Sequence, residues 1–392
     1  MKEVVIVSYA RTAIGTMGGA IKDMHAADLG AHAIKEAVKR SGINVDEVDE
    51  VIMGCVGQAA ENAFIARMCA IRAGIPTSSN AYTVNRLCGS GLQAINNAVQ
   101  EIQTGQSDVV IAGGTENMDL LPYYIRKGRY GYRYGHGELE DGLMTALTDP
   151  FGNYPMGITA EVVAERYGIT REVQDQFAYE SQNKAIQAID QGYFKDQIAP
   201  IELVDRKGNI TIFDEDEHPR RGSSIEKLSK LRPTFQEGGT VTAGNSSGIN
   251  NGAAALVIMS SEKAEELNLE PIAYIREQAL AGVDPEIMGY APAPAVEKLL
   301  EKAKKNIDDI DLIELNEAFA SQSVAVLNAL NIDKDKVNVN GGAIALGHPI
   351  GASGGIITVK LLEELKRRNK KHGVSTMCIG GGQGIATLFE LV

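Results

Sequence analysis

The chain has 392 residues, 44% hydrophobic and 23% charged, a balance that suits a water-soluble globular protein with length for two or three domains. A formal net charge of −13 excludes a general nucleic-acid or membrane-surface binder, which needs a basic field, but leaves room for a small anion held by a local basic patch. Four cysteines, Cys55, Cys69, Cys88 and Cys378, fit neither a zinc spacing nor a CxxC pair and are too few for a disulfide scaffold, so a reducing cytoplasm is expected.

Val4–Ser8 reads as a buried strand, with no secretory or transit pattern before it, and no apolar run is long enough to span a bilayer. Ala26–Lys39 has helical spacing, with Leu29, Ala33, Ile34 and Val38 on one face. Glu50–Met53 reads as a strand, Leu92–Ile102 as a helix, and Val109–Ala112 as a strand running into Gly113-Gly114. This alternation predicts a mostly parallel sheet. From residue 119 to 243 it breaks: Arg126–His136 reads as loop, and Thr159–Tyr167 and Arg171–Gln191 as helices, the second capped by Thr170. Then comes a basic run with Arg220, Arg221, Lys227, Lys230 and Arg232, either an anion site or a solvated surface. An insertion of this length over an α/β core is usually functional. The alternation resumes with strand Pro271–Ile275, helix Ala293–Ala303, strand Leu312–Leu315, helices Ala318–Leu330 and Ile356–Lys366, and strand Val374–Ile379.

The two ends are alike. Cys88-Gly89-Ser90-Gly91 opens a helix leading to a strand that ends in Gly-Gly, and Gly351-Ala352-Ser353-Gly354 opens another leading to Gly380-Gly381-Gly382. This predicts an internal duplication: an N-terminal α/β half over 1–118 and 244–270, an inserted loop domain over 119–243, and a C-terminal half over 271–392.

Four places carry candidate chemistry. Cys88 stands at a helix N-terminus, where the dipole and free N–H groups favour thiolate; the alternative is an inert buried cysteine. His348 lies in a glycine-rich loop that packing explains poorly, and its imidazole could take a proton from a thiol; the alternative is a histidine bonded to backbone. Cys378 ends a strand beside a glycine turn, with a core cysteine as the alternative. Asn316, in Asn316-Glu317-Ala318-Phe319-Ala320, could hold a water or a carbonyl oxygen, or cap a helix. Three further motifs are weak. Gly89–Ala94 matches a dinucleotide fingerprint, but Asp108 precedes its strand instead of ending it. The GxSxG runs at Gly351–Gly355 and Gly244–Gly248 lack a strand directly before them.

Six segments together resemble the thiolase family in order and spacing, and the resemblance runs over essentially the whole chain. They are NRLCGSG (Asn85–Gly91), GGTENM (Gly113–Met118), GNSSGINNGAAA (Gly244–Ala255), NEAFA (Asn316–Ala320), GGAIALGHPIGASG (Gly341–Gly354) and CIGGGQG (Cys378–Gly384). The resemblance implies two βαβαβαββ halves, with two mixed sheets and helices, plus the inserted domain. It implies Claisen condensation of two acetyl-CoA to acetoacetyl-CoA and CoA, and the reverse thiolysis, through an acyl-cysteine. The alternative within the family is a broader 3-ketoacyl-CoA thiolase of fatty-acid β-oxidation. By resemblance Cys88 is the nucleophile and His348 its base, while Cys378 moves the α-proton. Asn316, through a water, and His348 hold the enolate, and the N–H groups of Cys88 and Gly380 hold the tetrahedral oxyanion. Arg220 contacts the nucleotide of coenzyme A and Ser247 the pantetheine. Leu147, Ile249, Ala318 and Phe319 match apolar lining, and Met156 and Met288 a short acyl pocket. No metal or further cofactor is implied, and the assembly is a homodimer or a dimer of dimers. The chain departs from related acetoacetyl-CoA enzymes at Tyr154-Pro155-Met156-Gly157, at Lys227 and over the aromatic, basic stretch Arg126–His136. Two readings from other classes are a non-catalytic CoA-binding subunit, against which Cys88, His348 and Cys378 together speak, and a nicotinamide-dependent oxidoreductase using the Gly89 loop.

Overall fold

The computed structural model describes residues 2–392. The N-terminal half runs β1 (Val4–Arg11), α1 (Ala26–Ser41), β2 (Glu50–Gly54), α2 (Ile65–Ala73), β3 (Asn80–Val84), α3 (Ser90–Thr104) and β4 (Val109–Asn117). The insertion follows, with two long helices, α4 (Met156–Arg166) and α5 (Arg171–Asp190), before β5 (Asn250–Ser260) returns to the sheet. The C-terminal half runs β6 (Ala273–Gly282), α6 (Pro292–Ala303), β7 (Leu312–Leu315), α7 (Ala320–Leu330), α8 (Ser353–Arg368), β8 (His372–Ile379) and β9 (Gln383–Leu391).

Strands stand in the order β3-β2-β4-β5-β1 in one half and β6-β9-β8-β7 in the other. In each half two or more parallel strands are followed by an antiparallel pair. The half-sheets meet where β1 and β6 pair antiparallel over Val5–Tyr274 and Ile6–Ala273, so they join into one ten-stranded sheet, in which Gly15–Thr16 adds a short strand against β5.

The duplication is visible strand for strand, with one difference. The C-terminal counterpart of β3 is a single parallel bridge from Val337 to Ile313. The next residue, Asn338, turns left-handed at φ 44°, which ends the strand. Its side-chain amide then does what a strand backbone would: Oδ1 accepts from Leu315 N at 2.9 Å and Nδ2 donates to Leu315 O at 2.8 Å.

Helices α3 and α8 each touch strands of both halves and pack on each other. They form a central layer buried on nearly every face, which is why polar Gln93 and Asn96 are buried beside Leu92 and Ile95. Their first turns cross in backbone contact. A Cβ on Gly354 would lie 2.1 Å from Leu92 N, and one on Gly91 would lie 2.9 Å from Gly355 N. The Ser-Gly that opens both helices is thus a close-approach requirement at its glycine.

The insertion is anchored from below. Arg11 is fully buried at the end of β1 and forms a bidentate pair with Asp216, at 2.7 and 2.9 Å, while its Nε donates to Gln197 Oε1 at 2.7 Å. Thr170 caps α5, accepting from Val173 N at 3.4 Å. Arg126–His136 forms no regular element, and its Tyr130 and Tyr134 are fully exposed. Among the described residues no helix is long and apolar enough to cross a membrane.

Candidate active site

The turn from β3 into α3 presents Cys88. Leu87 holds a left-handed φ of 43°, a conformation that costs a residue with a Cβ about 1–2 kcal/mol. Local bonds hold it: Asn85 Oδ1 accepts from Leu87 N at 3.0 Å, and the Ser90 hydroxyl donates to Leu87 O at 2.6 Å while accepting from Arg86 N at 2.9 Å. Cys88 is thereby turned toward the C-terminal half, and the backbone N–H of Gly380 faces its sulfur. That N–H and Cys88's own favour the anion, as the helix N-terminus predicts, but burial opposes them more strongly and pushes the thiol up to about 11. Cys88 therefore rests as a thiol, contrary to the thiolate expected from the helix dipole alone.

His348 is fixed at three atoms. Its N–H donates to Asn250 Oδ1 at 3.0 Å. The preceding Gly347 has φ 105°, and a Cβ there would lie 2.5 Å from the Asn250 side chain. Ring Nδ1 lies 2.6 Å from Ser353 Oγ, whose hydroxyl donates to Pro349 O at 2.9 Å. A hydroxyl has one proton to give, so Nδ1–H donates to Ser353 and Nε2 keeps its lone pair. Nε2 sits 3.5 Å from Asn316 Nδ2. Burial depresses His348 to about 4, so the ring is neutral near pH 7. Asn316 does not cap α7, which starts after Phe319, and its Oδ1 is buried with no hydrogen-bond partner among the described residues.

Cys378 lies next to the end of β8 and is 1% exposed, and burial raises its thiol further than that of Cys88, which keeps some accessible surface. Met156 and Leu87 fill the space beside Gly380: a Cβ there would lie 2.7 Å from Met156 Cε and 3.0 Å from Leu87 Cδ1.

Cys88, His348, Cys378 and Gly380 line one cavity of about 70 Å³, together with Leu147, Met156, Ser247, Met288, Ala318 and Phe319. A second cavity of about 670 Å³ shares Leu147, Met156, Ser247, Phe319 and His348 with it and extends to Ile249, His218 and Arg220. A wide outer chamber thus narrows to the two sulfurs. Of the basic run, Arg220 lines the chamber; Arg221 instead pairs with Asp190 at 2.7 Å, and Lys227 Nζ donates to Gly222 O at 2.6 Å. The weak motifs have structural uses. Asp108 pairs with Lys2 at 2.7 Å, and the Ser246 hydroxyl donates to Thr242 O at 2.8 Å. Sequence reasoning gave no role to Leu87, Asn250 or Ser353, although each lies in one of the six segments that carry the family resemblance.

Residues 4–262 match the family described as Thiolase, N-terminal domain, and residues 269–391 match Thiolase, C-terminal domain. The chain is 53% identical over 394 residues to the acetyl-CoA acetyltransferase of Syntrophomonas wolfei, covering 99% of each. Among solved structures it resembles the Bacillus anthracis acetyl-CoA acetyltransferase, with 48% identity, a TM-score of 0.98, and coverage of 100% of this chain and 99% of that one. It also resembles human mitochondrial 3-ketoacyl-CoA thiolase in complex with CoA, with 44% identity, a TM-score of 0.97, and coverage of 100% and 98%. The chain belongs to the thiolase family and is an enzyme of that family.

Proposed function

We propose that the enzyme condenses two acetyl-CoA to acetoacetyl-CoA and CoA, and runs the reverse thiolysis, through an acyl group on Cys88. The observation that carries this reading is the shared small cavity of Cys88, His348 and Cys378 at the foot of a larger chamber. In the first step His348 Nε2 takes the thiol proton as sulfur attacks the thioester carbonyl, and the N–H groups of Cys88 and Gly380 receive the oxyanion. CoA leaves as the carbonyl re-forms and takes the proton of the Cys378 thiol, which leaves Cys378 as a thiolate. In the second step the Cys378 thiolate takes an α-proton from a new acetyl-CoA. The enolate oxygen is held by His348 and, through a water, by Asn316, whose nearness to Nε2 supports this pairing. The enolate carbon then attacks the acyl carbonyl, and Cys88 departs and takes back the proton held on His348.

The chamber supports coenzyme A as the carrier, with Arg220 toward the nucleotide and Ser247 toward the pantetheine. Met156 and Met288 bound the inner cavity, whose 70 Å³ is room for about two water volumes at roughly 30 Å³ each, which favours acetyl and acetoacetyl groups over long chains. The reading includes a cytoplasmic location and a homodimer or dimer of dimers, checked by fractionation and light scattering.

Radioactive acetyl-CoA followed by peptide mapping is expected to label Cys88, and Cys88→Ala to abolish the label. Label on another residue overturns the assignment. Cys378→Ala is expected to accept the label but to lose α-proton exchange and condensation. Faster cleavage of a long 3-ketoacyl-CoA than of acetoacetyl-CoA would favour the broader thiolase.

A further inference from the structure

The loop carrying His348 is tied to the N-terminal half by one carboxylate that the mechanism above does not use. We infer that Glu116 is a positioning residue for acyl transfer: it clamps the His348 loop to the wall behind Cys88 and keeps a fixed negative charge near the nucleophile. The inference rests on the proposed roles of Cys88 and His348.

Glu116 lies next to the end of β4 and is 1% exposed. Oε2 accepts from Val56 N and from Gly351 N, each at 2.9 Å. Oε1 accepts from Gly57 N at 3.0 Å and from Cys55 Sγ at 3.5 Å. Two donors thus serve each oxygen, and among the described residues no ion pair reaches the carboxylate. The two walls it joins are those of the site. Val56 packs in the apolar cluster that includes Cys88 and Ile350, and Gly351 lies three residues beyond His348. The approach is tight: a Cβ on Gly351 would lie 2.5 Å from Glu116 Oε2 and 2.7 Å from Cys55 Cα.

An apolar side chain here would leave three buried N–H groups without acceptors. A glutamine would serve only one pair of donors and turn its own NH2 toward the other. Burial raises the Glu116 carboxyl, while the three N–H groups and Cys55 hold it down, and only its ionised form satisfies all four donors. The titratable groups around it are few. Cys55 is bonded to it, and Cys88 feels its charge while also facing Cys378 and lining the cavity with His348. Burial already keeps Cys88 a thiol, and the Glu116 charge adds to this in the same direction, so the proton stays until His348 removes it; the thiolate of a less acidic thiol is the stronger nucleophile once formed.

The test compares Glu116→Gln, Glu116→Asp and the parent by melting temperature, steady-state kinetics, and the pH profile of Cys88 alkylation by iodoacetamide, read by peptide mapping. Glu116→Gln is expected to lower kcat about tenfold to a hundredfold with KM for acetyl-CoA within about threefold, as for a displaced catalytic group. Its alkylation midpoint is expected to move to lower pH. Glu116→Asp keeps the charge but shortens the reach, so its kcat falls while its midpoint stays with the parent. If Glu116→Gln does not fold, Gly351→Ala crowds the loop off Oε2 with the charge intact, and the same kcat loss is expected. Unchanged kcat and midpoint in folded Glu116→Gln overturn the inference, as does a loss that only tracks melting temperature with the midpoint unmoved. A parent enzyme that never acylates Cys88 overturns the proposed function instead; the alkylation profiles then still decide the charge effect.

Discussion

At Cys88 and His348 burial, not charge pairing, sets the resting state. Among the described residues neither side chain has an ion-pair partner, and desolvation pushes the thiol up to about 11 and the imidazole down to about 4, so both are neutral near pH 7. In the proposed mechanism proton transfer then accompanies attack. The histidine has a consequence for stability. Its folded-state value lies below the ordinary 6.5, so between about pH 6.5 and 4 the unfolded chain binds a proton that the folded chain refuses. Stability is unaffected above that window and falls as pH drops through it, by about 3 kcal/mol at about 1.4 kcal/mol per pH unit. His218 is depressed by burial and by Arg220 and adds in the same direction, though less, because it is only half-buried. Urea unfolding at pH 7 and 4.5 is expected to show a smaller acid loss for His348→Asn than for the parent; equal losses would contradict this account. Cys88, His348 and Cys378 were legible in the sequence because each stands among glycines, where packing cannot explain it. Leu87, Asn250 and Glu116 were not, because their meaning lies in a left-handed turn or in a partner far along the chain, such as Asn250 98 residues from His348; Ser353 lies five residues from its partner His348, where spacing alone does not show that the two side chains meet.

At the scale of elements, the crossing of α3 and α8 brings the Cys88 turn and the His348 loop together, since each lies just before one of the two N-termini. The contact is backbone on backbone, so the response to an added methyl depends on where it points. Gly354→Ala aims a Cβ at Leu92 N, 2.1 Å away, and neither backbone can yield without uncrossing the helices. A loss of about 3 kcal/mol or more is expected. Gly355→Ala meets the Ala254 methyl at 3.0 Å and nothing else within 3.6 Å, so a loss of about 1 kcal/mol is expected. Thermal and denaturant unfolding of the two variants checks the ordering, and equal losses would contradict the crossing. The duplication was readable because the glycine-opened helices repeat. Of the nine named strands two were not read. β5 opens with Asn-Asn-Gly-Ala-Ala-Ala and β9 opens with Gln-Gly, both poor signals for residues that favour strands. Reading β1 only to Ser8 had the same cause: Ser8 and Arg11 interrupt the apolar run, yet both are buried by hydrogen bonds.

At the scale of the whole molecule, the outer chamber depends on how the insertion seats on the duplicated core. The seat is the Arg11–Asp216 pair, with both side chains fully buried. Asp216 Oδ1 also accepts from Ile14 N at 2.8 Å, and the next residue, Glu217, accepts through its carboxylate from Thr16 N at 2.9 Å and Ala20 N at 3.0 Å. Glu217, His218 and Arg220 then line the chamber. Removing Arg11 strands the Asp216 carboxylate in a dry site, so Arg11→Met is expected to cost about 3–5 kcal/mol, whereas the double variant Arg11→Met/Asp216→Leu, with no charge left to desolvate, recovers most of that. The kinetic consequence separates the two cavities. Cys88, His348 and Cys378 are held by the central helices and β8, away from this seat, so kcat in the double variant stays within about threefold of the parent. The segment carrying His218 and Arg220 loses its anchor, and KM for acetyl-CoA rises about tenfold. A double variant in which kcat falls and KM stays fixed would mean that the insertion positions the reacting groups and not the carrier.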